Sequence, residues 1–186
     1  MSDIHQEIAV HIPNLRRYAR ALVRDVVAAD DLVQECLTRA VAKVHLWREG
    51  SNLKAWLFTV LHSQYVNEVR RSIRSGTTVE FDGADLSLSL AATQEKYLEL
   101  RDLDRALGQL SPEMRAVILL VGLEGMPYCD VATALEIPVG TVRSRLSRGR
   151  TTLRRLMDRD TDQPNSPAAA SWRTSPSART LGVSAV

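Results

Sequence analysis

The chain has 186 residues, 45% of them apolar, with 24 basic and 22 acidic side chains and a formal net charge of +2. That is enough apolar material for one ordinary core or two small ones, and the near balance of charge excludes a generic polyanion binder. The charge is laid out unevenly: residues 1–74 carry 11 basic and 8 acidic side chains, 75–101 carry 2 and 5, and 102–160 carry 9 and 8, so two basic blocks flank an acidic middle.

The first helical pattern is Leu15, Tyr18, Ala19, Leu22, Val23 and Val26, with Arg16, Arg17, Arg20 and Arg24 on the other side, and it ends near Asp25. Asp30 or Asp31 caps a second helix, whose apolar stripe is Leu32, Val33, Cys36, Leu37, Ala40, Val41, Val44 and Trp47. Gly50-Ser51-Asn52 breaks the chain, and Ser51 or Asn52 caps a third helix that runs to about Arg74 with Leu53, Trp56, Leu57, Val60 and Leu61 inward. Beyond its core stripe this helix offers Lys54, Phe58, His62, Ser63, Gln64, Tyr65, Asn67, Arg70, Arg71 and Arg74. Flat, amide, hydroxyl and cationic side chains mixed in this way suit unstacked bases. Trp56 reads as core because it lies in the stripe, and Arg70, Arg71 and Arg74 suit backbone phosphates because they close the helix without matching acids.

Residues 75–100 lack a sustained period and read as a flexible linker, with room for a short helix from about Gln94. The pattern resumes at Arg101 with Leu103, Ala106, Leu107 and Leu110, and Ser111-Pro112-Glu113 opens the next helix, which runs through Leu123. Val131, Ala132 and Leu135 make a short amphipathic helix, and Glu136-Ile137-Pro138 is a break of the length that joins two helices steeply. In the helix that follows, Val142, Leu146, Leu153 and Leu156 form the apolar stripe, while Ser144, Ser147, Arg148, Thr151 and Arg155 lie opposite. Seven arginines and one acid lie between Ile137 and Arg159, without acids at the spacing that a merely solvated face would carry. This is a helix-turn-helix, and the expected partner is duplex DNA, with Thr141, Arg143, Ser144, Ser147 and Arg148 near the groove. Residues 159–186, rich in Ser, Pro, Ala and Thr, read as a disordered tail.

The reading is therefore all-α: an N-terminal helical domain over 1–74, a linker over 75–100 and a C-terminal helix-turn-helix domain over 101–158. Cys36 and Cys129 are far apart, each in a helical pattern, and read as small buried hydrophobes in a reducing compartment. No metal shell, phosphate loop or nucleophile motif is present, so neither an enzyme nor a cofactor is expected. With no signal pattern and no apolar run able to span a bilayer, the expectation is a cytoplasmic protein without membrane insertion.

Four runs occur together in order: Asp30-Asp31-Leu32-Val33-Gln34-Glu35, Asn52-Leu53-Lys54-Ala55-Trp56-Leu57-Phe58, Leu110-Ser111-Pro112-Glu113 and Gly140-Thr141-Val142-Arg143-Ser144-Arg145-Leu146. Over about residues 10–157 they resemble the bacterial RNA polymerase sigma factors of the extracytoplasmic-function class, in the sigma-70 family. The stretch Gly50 to Phe58 together with Val121-Gly122 is similar to the alphaproteobacterial general-stress branch. The resemblance implies a promoter-specificity subunit whose partners are core RNA polymerase, promoter DNA and an anti-sigma factor. It implies docking on core polymerase through Asp31, Gln34 and Glu35, and minus-ten recognition by the third helix through Lys54, Ser63, Gln64, Asn67, Arg70 and Arg71. Minus-thirty-five recognition falls to the helix-turn-helix. Ser63 stands where many members carry an Asn that helps hold the non-template strand, and Glu136 stands where a turn glycine is common. A free-standing helix-turn-helix regulator with a sensing or dimerising N-terminal domain is the alternative. Against it, such a domain has no need of Lys54, Gln64, Asn67 and three arginines on one helix.

Overall fold

The computed structural model describes residues 4–48, 50–75 and 94–161, so most of the expected linker and tail lies outside the described residues. Among the described residues the regular structure is helical throughout, and no helix is long and apolar enough to cross a membrane.

Helix α1 spans Ile4–Val23, starting well before the stripe read from Leu15 and running through Pro13. Ile8 extends the spacing of Leu15 and Leu22 by two turns and is buried with them, which offsets the backbone bond that proline removes. Arg24 then takes a left-handed conformation (φ 64°), so the chain turns within two residues. As a result Asp25, and neither Asp30 nor Asp31, caps helix α2, Val26–Ala42: its Oδ1 accepts from Ala28 N at 2.7 Å. Asp30 pairs instead with Arg20 at 3.3 Å. The stripe read as continuous to Trp47 breaks at Ala42 into a 3₁₀ turn, Val44–Leu46. Helix α3, Leu53–Ser75, starts at the expected cap, with Asn52 Oδ1 accepting from Ala55 N at 3.1 Å.

Helix α4, Gln94–Gly108, starts where the short helix was expected and runs on without a break into the pattern read from Arg101. Ser111 caps α5, Pro112–Ile118, which widens into a π turn over Leu119–Leu123. Helix α6 is Tyr128–Leu135 and helix α7 is Val139–Thr161. Between them Glu136 is left-handed (φ 53°, ψ 43°), with Ile137 N bonded to Ala132 O and Glu136 N to Thr133 O. This Schellman closure satisfies the last carbonyls of α6.

In the first half Tyr18 and Phe58 meet edge to face at 5.2 Å and are fully buried with Leu15, Leu22, Leu57 and Leu61. In the second half Val117, Leu120, Val131 and Val142 form the centre. The buried residues of both halves join in one cluster, and α3 packs against α6.

Candidate nucleic-acid interface

Helix α3 buries Leu53, Ala55, Leu57, Phe58, Leu61 and Tyr65. Phe58 and Tyr65 therefore belong to the core and do not stand on the polar face where the sequence pattern allowed them. Ser63, Asn67, Arg70 and Arg71 are exposed. Ser63, Asn67 and Arg70 follow one another at helical spacing on one wall of a cleft of about 610 Å³, which Glu113, Glu136 and Arg145 close from the second half. Gln64 is not on that wall. It turns toward α2, where its amide oxygen, oriented by the hydrogen bonds it makes, accepts from Arg39 Nε and Nη1 at 2.7 Å. His62 also lines the cleft; burial and the Arg145 guanidinium lower its pKa to about 4, so the ring is neutral at physiological pH.

On α2, Leu32, Val33 and Cys36 face the core while Asp31, Gln34 and Glu35 are exposed together, and Glu35 Oε1 accepts from Arg39 Nε at 2.6 Å. The Cys36 thiol lies 3.7 Å from Leu57 O, and burial pushes its pKa up to about 12. Cys129 departs from expectation: it is exposed in the first turn of α6, with Sγ 3.6 Å from Asp130 Oδ1.

Helix α7 buries Val142 and Leu146 and exposes Arg143, Ser144, Ser147, Arg148, Thr151, Arg154 and Arg155; Thr141 is half-buried. Arg148 leans on Ser144, whose oxygens accept from its guanidinium at 3.4 Å. The helix lies close on α5 because position 149 is glycine: a Cβ there would be 2.7 Å from Ile118 Cδ1. A row of guanidinium and hydroxyl groups on a helix anchored along one side has the chemistry that meets phosphates and base edges.

Sequence reasoning missed the polar contacts between the two halves. Lys54 Nζ donates to Glu124 O at 2.7 Å and lies 3.4 Å from Glu124 Oε2. Arg17 donates to Glu124 Oε1 from Nε and Nη2 at 3.0 and 2.9 Å, and Asn14 Nδ2 donates to Oε2 at 3.0 Å. Arg24 pairs with Asp104 at 3.0 Å, and Asn52 Nδ2 donates to Asp130 Oδ2 at 2.6 Å. The available signals were Arg16, Arg17 and Arg20 on α1, whose sequence holds one acid, Glu7, with Arg24 just beyond it, and a lone Glu124 directly after an apolar run.

The family model described as the sigma2 domain of PhyR matches residues 8–62, and that of sigma-70 region 4 matches residues 100–153. The chain is 36% identical over 159 residues to the ECF RNA polymerase sigma factor EcfG of Rhodopseudomonas palustris, covering 83% of this chain and 85% of that protein. It is 37% identical over 139 residues to the ECF sigma factor SigL of Mycobacterium tuberculosis, covering 73% of this chain and 78% of that one. Among solved structures, the sigma factor RpoE of Bartonella quintana, crystallised with the anti-sigma factor NepR, matches with a TM-score of 0.72 at 36% identity. That match covers 86% of this chain and 99% of RpoE.

Proposed function

The chain belongs to the extracytoplasmic-function sigma factors of bacterial RNA polymerase, and on that premise we propose how its residues divide the work. It directs core polymerase to promoters, and the free-standing regulator is not favoured, since the first half matches a sigma2 domain. In our reading residues 1–74 dock on polymerase through Asp31, Gln34 and Glu35 and capture the minus-ten element, and residues 101–158 read the minus-thirty-five element. Lys54, Ser63, Asn67, Arg70 and Arg71 serve the minus-ten element, with Gln64 acting from the edge of that face through Arg39. Thr141, Arg143, Ser144, Ser147 and Arg148 serve the minus-thirty-five element. The RpoE complex with NepR supports an anti-sigma protein as a further partner.

One observation carries the minus-ten assignment: hydroxyl, amide and guanidinium groups of Ser63, Asn67 and Arg70 stand on one wall of one cleft. Unstacking a base costs a few kcal/mol, so hydrogen bonds worth about 1 kcal/mol each shift the balance between closed and open duplex. The test is transcription by purified chain added to core polymerase. The wild type initiates at a defined site; failure to do so overturns the sigma reading. Asn67→Ala loses initiation on duplex template and recovers it on a pre-melted bubble. Equal defects on both templates would remove Asn67 from strand opening.

A further inference from the structure

Helix α3 carries an amide whose orientation is decided by another helix. Gln64 follows Ser63 and stands three residues before Asn67, so it adjoins the polar wall without lining the cleft. Its side chain turns toward α2, where Arg39 Nε and Nη1 both donate to its oxygen at 2.7 Å. The reverse orientation would set amide N–H groups against guanidinium N–H groups, donor against donor.

Arg39 is itself held. One turn back on α2, Glu35 Oε1 accepts from Arg39 Nε at 2.6 Å, the short length of a charge-assisted bond. Both side chains are about half exposed, Arg39 at 43% and Glu35 at 52%, and an ion pair of that kind contributes little to stability. What it fixes is direction: the guanidinium fork is pinned by a carboxylate on its own helix and aimed at an amide on the next.

The consequence lies in what the amide has left to offer. A free glutamine presents an acceptor and donors side by side, the combination that reads adenine bidentately through N6 and N7. Here both lone pairs of the Gln64 oxygen are committed to guanidinium N–H groups. A nucleotide approaching α3 therefore meets the two amide N–H donors and no free acceptor. Donors suit the carbonyl oxygens of thymine and guanine, whereas adenine and cytosine present an amino donor at the corresponding place.

Resting on the minus-ten assignment to α3, we propose that Arg39 is a positioning residue for promoter specificity. By holding the Gln64 oxygen it makes Gln64 a donor-only reader, which selects a keto base, thymine or guanine, at one position of the minus-ten strand. Arg39 acts through the amide and touches no base.

The test uses the chain reconstituted with core polymerase. The holoenzyme is offered fork-junction DNAs that share one promoter duplex and carry a randomised single-stranded minus-ten segment, and the bound strands are sequenced. The wild type enriches keto over amino bases about fivefold at one position, the factor that one hydrogen bond commands. Gln64→Ala loses that preference and leaves the other positions as they were. Arg39→Met keeps the aliphatic stem and removes the fork, so the amide turns freely; the ratio falls to about twofold or less, with adenine gaining. Arg39→Lys, which still donates to the oxygen, restores part of the preference. Gln64→Glu supplies one oxygen for Arg39 and one for the base, so it reverses the preference toward amino bases and decides the matter if Arg39→Met fails to fold. Ratios within one pool do not depend on how much of each variant sits on polymerase. Arg39→Met selecting as the wild type does, a Gln64-dependent position that prefers adenine, or an even loss of preference at every position would overturn the positioning role alone. A wild type that selects no sequence at all overturns the minus-ten assignment itself.

Discussion

His62 sits where α3 faces the second half, and its chemistry is set by both. Burial comes first and the Arg145 guanidinium second; each opposes a charged imidazole and lowers the folded-state pKa from 6.5 to about 4. Because the folded value lies below the unfolded one, the protein carries no penalty from this group above pH 6.5. It loses stability as pH falls from 6.5 toward 4, by up to about 3 kcal/mol. Glu113, held down by its own backbone N–H and then by the Ser111 hydroxyl, has the opposite shift, and its contribution is lost only below about 4.5. Urea unfolding of wild type and His62→Gln between pH 7.5 and 5 tests this: the wild-type curve falls with acidity and the variant's is flatter. Parallel curves would place the imidazole in water. The sequence identified this ring only as one of several polar groups on α3, since nothing local to residue 62 announces an arginine 83 positions away.

At the scale of single elements, the turn between α6 and α7 forms despite its sequence. Glu136 holds a left-handed conformation that costs a non-glycine residue about 1–2 kcal/mol. The two Schellman bonds, and Ile137 packed against the core, hold it there. Glu136→Gly removes the strain and returns about 0.5–1 kcal/mol to the looser unfolded chain. The expected net gain is therefore up to about 1 kcal/mol, read as a higher melting temperature. Glu136→Val, branched at Cβ, lowers it. An unchanged or lower temperature for the glycine variant would mean that the Glu136 side chain stabilises the fold beyond its backbone. The helix-turn-helix was legible because apolar spacing on both sides of the break agreed, whereas the start of α2 was misread. Asp25, Asp30 and Asp31 are all chemically fit to cap, and the choice fell to the Arg24 turn.

For the molecule as a whole, Arg115 ties the halves together through main-chain oxygens. Its guanidinium donates to Leu107 O at 2.9 Å, Gly108 O at 2.8 Å, Leu110 O at 3.2 Å and, across the halves, Leu22 O at 3.1 Å. Arg115→Met keeps the aliphatic stem and strands these carbonyls. Lost hydrogen bonds to a charged group and unmet acceptors together are expected to cost about 3 kcal/mol or more, measured as a lower urea midpoint. A shift equivalent to less than about 1 kcal/mol would mean that water replaces the guanidinium and that these bonds contribute little.

The sequence by itself determined the helices, most of their caps, the all-α class and the basic face of α7, because those depend on residues three or four apart along one chain. It also brought Ser63, Asn67 and Arg70 onto one face of α3, and that spacing survived folding intact. Only the tertiary structure decided what covers that face. It sent Phe58 inward against Tyr18, turned Gln64 to Arg39, left Cys129 in the open and buried Glu124 beneath Arg17 and Lys54. Periodicity says which side chains share a face. The partner of Glu124 lies 107 residues away on α1, and a separation of that length leaves no local pattern, since the pairing exists only once apolar burial has brought the two halves together.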